Sequence, residues 1–401
     1  MTNGGARMKK YCSIILMLTM AVFSFTGCKQ NGASGNSQKE IVVVTNSEQE
    51  EAVKDFAKYY MDKHQGVSIR VENPFSGSTE ERSVNLQKWN TDITVGKGPD
   101  IYVLSTLLDN VDSENDEEKL LIKNVNKAMQ NGVFASLDSY MENDSFWEQS
   151  SYKKEILEAG KYHGKQYVLP FTCHYYVIAG EAEKVSNIKS LENLTASEAA
   201  NVLFFASRLA QPAVDYEENQ VLFEKEKWGN IIKQCFENGM TQTEEENESC
   251  VHSVKDLEME DYESSTPIMN LDGKKVAAVE FYGAVGMSSE YKEEAYEFLM
   301  LFLNGAVSEE KGTEGYDIEN RVVSVGIPVM ENNKYYQQYP QILDSYQEIE
   351  GAYFPTLIDR SIGKEMEEWL YSPSNDADSI DSKCDDLAEK TYKKYETMMK
   401  E

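Results

Sequence analysis

The run Ile41-Val42-Val43-Val44-Thr45 is a continuous stretch of β-branched and apolar residues, and Asn46 and Ser47 follow it directly. β-Branched side chains favour strands, and a short apolar run bounded by polar residues is typical of a buried strand. The segment after it is acidic at its start and places apolar residues between Val53 and Tyr60 on one helical face. This stretch therefore predicts a strand, a cap and a helix in succession.

The alternation of strand and helix continues along the chain. Val67-Ser68-Ile69-Arg70-Val71 predicts a second strand, and a helical stretch leads to a Gly/Pro turn and a third strand at Ile101-Tyr102-Val103-Leu104. Strands that alternate with helices predict the α/β class, with a mostly parallel sheet flanked by helices. Ligands of such sheets collect at the carboxyl ends of the strands, so Asn46, Ser47 and Glu48 lie where a ligand is expected.

The first residues have the features of an export signal. Met8-Lys9-Lys10 precedes a mostly apolar stretch of about fifteen residues, which is too short to cross a bilayer of roughly 30 Å. The stretch ends at Thr26-Gly27-Cys28, which resembles a bacterial lipobox, and we predict that Cys28 carries a lipid. The predicted signal peptide is 1–27, with Met8 an alternative start to Met1. Residues 28–38, rich in Gly, Ser and Asn, predict a flexible tether.

The charge of the chain excludes one class of partner. The formal net charge is −30, and removal of 1–27 takes away Arg7, Lys9 and Lys10 and no acid, which gives −33. Nucleic-acid binding depends on Lys and Arg at phosphates, so an acidic surface argues against it. The roughly 370 remaining residues are enough for two domains.

The cysteines and histidines do not have the spacing of a metal site. No C-x-x-C pair occurs, and the four histidines have no ligand spacing, so we expect no metal and no cofactor. Outside the membrane a disulfide between Cys235 and Cys250 is permitted, but sequence spacing does not decide whether the two residues pair.

Five segments together resemble extracellular solute-binding proteins of family 1, the maltose-binding-protein-like, sugar-capturing component of ABC importers. Their order along the chain is also that of the family. The segments are Gly96-Lys97-Gly98-Pro99-Asp100-Ile101, Gly132–Asp138, Gly164–Pro170, Ser288–Leu299 and Gly326-Ile327-Pro328-Val329. The C-terminal part, from Glu365 to Tyr395, resembles the clostridial type found in Gram-positive bacteria. Residues 181–270 depart from the family, because the Asn and the Pro-Pro-x-Thr-Trp stretch usual after the hairpin are missing.

This resemblance implies a two-lobed, periplasmic-binding-protein-like fold of type II. Each lobe is then built from discontinuous segments around its own mixed, mostly parallel sheet, and the lobes close on a solute. The predicted first lobe comprises 39–138 and 271–330, and the predicted second lobe comprises 139–270 and 331–401, with approximate hinge crossings.

Residues near the expected cleft have the chemistry that carbohydrate binding requires. A sugar presents a patch of C–H groups and a rim of hydroxyls, so its site combines flat aromatic faces with short polar side chains. Polar residues end the first strand, and aromatic residues flank the later strands. The predicted ligand contacts are Asn46, Ser47, Glu48, His174, Tyr175, Tyr176, Phe281 and Tyr282.

Each of these contacts also has a structural interpretation. Asn46 and Ser47 fit an N-cap that satisfies free backbone amides, and Glu48 fits the positive end of a helix dipole. The aromatic residues suit packing within a sheet or a core. The sequence leaves both interpretations open.

The resemblance implies a non-catalytic, monomeric binder, held at the extracellular face of the cell membrane by its lipid, that delivers a sugar or oligosaccharide to ABC permease subunits. A secreted glycoside-active enzyme is one alternative, since it would use two carboxylates across a sugar. No G-x-S-x-G, H-E-x-x-H or P-loop motif occurs in the sequence. A solute receptor for a membrane sensor kinase is the other alternative. The sequence does not decide the solute.

Overall fold

A computed structural model describes residues 39–106, 120–144, 147, 152–191, 206–222, 224–240, 250–254, 262–303, 323–370 and 380–400. The predicted signal peptide, the tether, Cys28 and the side chains of Cys235 and Cys250 lie outside the described part of the chain. Within the described ranges, no helix is long and apolar enough to cross a membrane.

Fourteen strands and fourteen α-helices are described, and they alternate along much of the chain. The strands are β1 Lys39–Thr45, β2 Val67–Glu72, β3 Ile101–Ser105, β4 Lys161–Tyr162, β5 Lys165–Gln166, β6 Val168–His174, β7 Tyr176–Gly180, β8 Val214–Asp215, β9 Gln220–Val221, β10 Cys250–Ser253, β11 Ser264–Pro267, β12 Val276–Val285, β13 Val323–Ser324 and β14 Gly351–Tyr353. The helices are α1 Glu50–Lys63, α2 Thr79–Thr94, α3 Val125–Gln130, α4 Asp138–Met141, α5 Lys154–Leu157, α6 Ala182–Asn187, α7 Ala206–Leu209, α8 Lys225–Met240, α9 Lys292–Leu303, α10 Ile327–Asn332, α11 Lys334–Gln338, α12 Pro340–Gln347, α13 Leu357–Leu370 and α14 Ile380–Lys400.

Seven strands form one large sheet in the order β13-β6-β12-β3-β1-β2, with β14 paired to β12. β1 is parallel to β2 and β3, as the strand and helix alternation predicts, because each crossover helix returns the chain to the same end of the sheet. β12 returns antiparallel to both β3 and β6. The α/β class is therefore confirmed, with a mixed sheet.

A smaller sheet of three strands has the order β10-β7-β11. Both pairs in it are antiparallel, so the described strands of this sheet differ from the mostly parallel arrangement expected for each lobe. Only Tyr175 separates β6 from β7. The chain therefore passes from the large sheet into the small one almost without interruption, and later segments return against β7.

Hydrophobic clusters cover both faces of the large sheet, and a third cluster lies beside the small sheet. Alternate residues of β1 enter the two face clusters: Ile41 and Val43 join one, and Val44 joins the other. The third cluster includes Ile178 of β7 and Trp228 of α8. The cluster that contains Ile41 also includes Val177 and Ala179 of β7, so it continues from the large sheet onto one face of the small sheet, and the third cluster covers the other face.

Candidate functional site

Polar side chains gather where β1, β2, β3 and β6 end. Because β12 is antiparallel to β3 and β6, its first half lies at this same edge of the sheet. We call the group the polar edge. It consists of Asn46, Ser47, Asn73, Ser105, Thr106, Thr172, His174 and Glu280.

Asn46 holds the ends of β1 and β3 together. Its Oδ1 accepts a hydrogen bond from the Ser105 backbone N–H at 2.7 Å, and only 9% of the residue is exposed. The N-cap of α1 is Gln49, which makes no side-chain capping bond. The capping interpretation of Asn46 is therefore not the one that the structure supports.

Ser47 lies at the end of β1 beside the end of β2. Asn73 Nδ2 donates to Ser47 Oγ at 3.0 Å and to Glu50 Oε2 at 2.6 Å. Hydrogen bonds from Lys54 and then Asn73 hold the pKa of Glu50 below its usual range. Glu48 is exposed one residue before the helix N-cap.

Glu280 lies at an irregularity in β12. The pairing register of β12 with β6 shifts between Val279 and Phe281, as at a β-bulge. The Glu280 carbonyl accepts from the Thr106 backbone N–H at 2.8 Å, and Thr172 Oγ1 donates to its Oε2 at 3.5 Å. The bulge therefore places a partly buried carboxylate between the ends of β3 and β6.

His174 and Tyr176 flank the point where β6 passes into β7, and both contact Arg208 of α7. Arg208 Nη2 lies 3.3 Å from His174 Nδ1, and its Cζ lies 4.6 Å from the Tyr176 ring centre. A guanidinium has only donors, so His174 Nδ1 is the acceptor and the ring proton is on Nε2. That Nε2 then donates to Ser253 Oγ of β10 at 3.0 Å.

Tyr175, Phe281 and Tyr282 are buried in the core. Tyr175 Oη lies 3.1 Å from Ser345 Oγ, and burial raises the pKa of this phenol. Phe281 packs on Phe171 with ring centres 5.6 Å apart, and Tyr282 is 1% exposed. For these three residues, burial supports the packing interpretation that the sequence left open.

Sequence reasoning missed several members of this region. Asn73 directly follows β2 and Thr106 directly follows β3. The rule that ligands gather at strand carboxyl ends, applied to every predicted strand, would have found both. Arg208 has no comparable signal in the sequence, because its contact with His174 joins residues that are 34 positions apart in the chain.

A cavity of about 120 Å³ lies away from the polar edge, between α3 and the third hydrophobic cluster. Asp359 in its wall accepts hydrogen bonds from Gln211 Nε2 at 2.5 Å and Tyr395 Oη at 2.6 Å, and from the N–H and hydroxyl of Thr356. Burial nevertheless raises the pKa of Asp359. Thr356 directly precedes α13, and its contacts with Asp359 fix the first turn of that helix. Asp359 therefore has a structural role.

The polar edge does not have the composition of a metal centre. Across the described residues, no group of three or more His, Cys, Asp or Glu side chains is placed to hold a metal ion. The chemistry available at the edge is hydrogen bonding by amides, hydroxyls and an imidazole, with one carboxylate and the nearby guanidinium.

No family model and no curated protein matches this sequence. Solved structures do match. An extracellular solute-binding protein family 1 from Alicyclobacillus acidocaldarius is 11% identical, with 90% of this chain and 98% of that chain covered and a TM-score of 0.56. A cyclic alpha-maltosyl-1,6-maltose binding protein from Arthrobacter globiformis is 14% identical, with 89% and 98% covered and a TM-score of 0.55. A de novo designed cysteine esterase is 14% identical, with 91% and 98% covered and a TM-score of 0.55.

These likenesses establish the fold. The chain has the two-lobed fold of extracellular solute-binding proteins of family 1, as the resemblance in the sequence predicts. Two of the three similar proteins are described as binding proteins, and the third is an esterase. A fold hosts many functions, so the function must be argued from the site.

Proposed function

We propose that this chain is a non-catalytic solute-binding protein that captures an extracellular sugar or oligosaccharide by lobe closure and delivers it to an ABC importer. The observation that carries the proposal is the polar edge, which lies at strand carboxyl ends beside the passage from β6 to β7. Amides, hydroxyls and a carboxylate together offer both donors and acceptors, and each sugar hydroxyl needs both. The sugar named for the similar Arthrobacter protein supports this class of ligand.

The lobe division is part of this proposal. The first lobe comprises 39–138 and 271–330, and the second comprises 139–270 and 331–401, with one refinement. β6 and β14 are hydrogen-bonded into the large sheet, so they belong with the first lobe. Tyr175, between β6 and β7, is then one hinge crossing, and the polar edge lies on the first-lobe side of the cleft.

Calorimetric titration against a panel of mono- and oligosaccharides tests the proposal. Glu280→Gln should weaken binding roughly 10- to 100-fold, because hydrogen bonds to charged groups contribute about 1.5–3 kcal/mol. Glu290→Gln is the matched control, since Glu290 is exposed and follows the far end of β12. It should bind as the wild type does. Turnover of a glycoside without binding of any intact sugar would replace the binder with an enzyme.

We also propose that a lipid on Cys28 holds the protein at the extracellular face of the membrane. A tether of about ten flexible residues has a root-mean-square reach of roughly 17 Å, enough to keep the folded part near a permease. Cys28→Ser should release the protein to the medium with its sugar affinity unchanged. Fractionation of cells that express the variant measures this, and continued retention in the membrane fraction would contradict it.

A further inference from the structure

We propose that the second lobe carries a clasp that holds the two lobes in their closed arrangement before a solute binds. The clasp consists of Tyr216 and Glu217 at the tip of the β8–β9 hairpin and Met399 near the end of α14. It rests on the proposed function, because a hinge crossing at Tyr175 leaves α3 and the β4–β5 hairpin in the first lobe. The β8–β9 hairpin lies within 181–270, the segment that departs from the family in sequence. The family resemblance therefore does not predict it.

Tyr216 joins the hairpin to both ends of α3. Its Oη accepts a hydrogen bond from Asn124 Nδ2 at 3.1 Å, and its carbonyl oxygen accepts from Gln130 Nε2 at 3.4 Å. Asn124 is the N-cap of α3, and Gln130 is the last residue of the helix. The hairpin of the second lobe therefore lies along the length of a first-lobe helix.

Two further contacts join the same two lobes. Glu217 accepts a hydrogen bond from the His163 backbone N–H, and its Oε2 lies 3.5 Å from His163 Nδ1 in the turn between β4 and β5. Lys127 Nζ of α3 donates to the Met399 carbonyl oxygen at 2.9 Å. The last carbonyl groups of a helix lack intrahelical donors and carry partial negative charge, so an ammonium group satisfies them well.

The hairpin is held in shape by contacts that stay within the second lobe. Asp215 Oδ1 accepts from the backbone N–H groups of Glu217 and Glu218 at 2.8 and 3.0 Å, which fixes the turn. At the base of the hairpin, Gln211 Nε2 donates to Asp359 Oδ1 of α13 at 2.5 Å. The hairpin therefore keeps its shape when the lobes part, and little conformational entropy is lost when it meets the first lobe again.

The interface is also one that can open. The cavity of about 120 Å³ lies between α3 and the second lobe, with Asn126 and Tyr216 in its wall. Close-packed interiors leave few such voids, and the contacts of the clasp are hydrogen bonds that water replaces on opening. Hydrogen bonds between the lobes outside the hinge require the lobes to be close, as a solute enclosed by both lobes also requires. The clasp therefore raises the fraction of the protein that is ready to bind.

Sugar titration by calorimetry tests the effect on affinity. Tyr216→Phe, Glu217→Ala and Lys127→Met each remove one contact of the clasp, and each should weaken the tightest sugar of the mono- and oligosaccharide panel about 2- to 10-fold. The triple variant should weaken it further. Glu218→Ala is the matched control, because Glu218 is exposed on the same turn. It should bind as the wild type does. Tighter binding by the clasp variants would overturn the inference, because the contacts would then hold an open form.

Small-angle X-ray scattering without sugar tests the clasp independently of the solute. The triple variant should have a larger radius of gyration than the wild type and Glu218→Ala, with an unchanged circular dichroism spectrum. If the triple variant does not fold, the double variant Glu217→Ala and Lys127→Met takes its place. Equal radii would overturn the clasp. A larger radius, in a protein whose wild type binds no sugar of the panel, would overturn the proposed function and support the clasp.

Discussion

Gly283 lies in β12 at a position where the side chains above it leave no room for a methyl group. A Cβ at this position would lie 2.4 Å from Phe171 Cζ and 2.6 Å from Leu299 Cδ2. Ordinary contact begins at 3.4 Å, so the Phe171 ring must withdraw by about 1 Å. It is fully buried and stacked on Phe302 at 4.8 Å, so this movement disturbs the core around it.

We expect Gly283→Ala to lower the free energy of unfolding by about 1.5 kcal/mol. Overpacking of this kind costs about 1–3 kcal/mol, and the reduced entropy of the unfolded chain returns about 0.4–1 kcal/mol. Gly351→Ala is the matched control, because Gly351 lies in β14 of the same sheet and its Cβ would meet only Val276 Cγ1, at 3.8 Å. That variant should be as stable as the wild type or slightly more stable.

Urea unfolding followed by far-ultraviolet circular dichroism measures the difference. With an m-value of about 3 kcal/mol/M or more for a chain of this size, Gly283→Ala should shift the midpoint down by roughly 0.5 M. Gly351→Ala should not shift it down. An unchanged midpoint for Gly283→Ala, or an equal fall for both variants, would refute the packing described around β12.

Three further outcomes are expected. Phe281→Ala should cost about 3–5 kcal/mol of stability, and calorimetry should find sugar affinity unchanged in the folded protein, because the side chain is 2% exposed. Burial raises the pKa of Cys384 to about 11, so only about one thiol in a thousand is ionised at pH 8. Peptide mapping after treatment with iodoacetamide should therefore find Cys384 alkylated in urea and not in the native protein. Asn124 Nδ2 donates to Tyr216 Oη at 3.1 Å, so urea unfolding of Tyr216→Phe should show a free energy of unfolding lower by about 0.5–1.5 kcal/mol. Asn124→Ala should cost more, because Asn124 Oδ1 also accepts from the Lys127 backbone N–H as the N-cap of α3, and the double variant should lose less than the sum of the two single losses.

Local patterns predicted the elements of the fold well. The β-branched run over 41–45 is the core of β1, and the strands predicted at 67–71 and 101–104 are β2 and β3, each one residue longer in the structure. These elements are encoded by neighbouring residues, through propensity and periodicity. The irregularity of β12 at Glu280, in contrast, arises from pairing with β6 and has no local signature.

The side chains of the site were harder to predict, because the large sheet is buried on both faces. Phe281 and Tyr282 are neighbours in β12 and enter opposite clusters, so alternation cannot assign either of them to a cleft. Arg208 depends on a contact between α7 and the end of β6, which only the folded chain creates. Sequence reasoning therefore pointed to strand carboxyl ends, where the structure does gather polar side chains, and left the contact residues undecided.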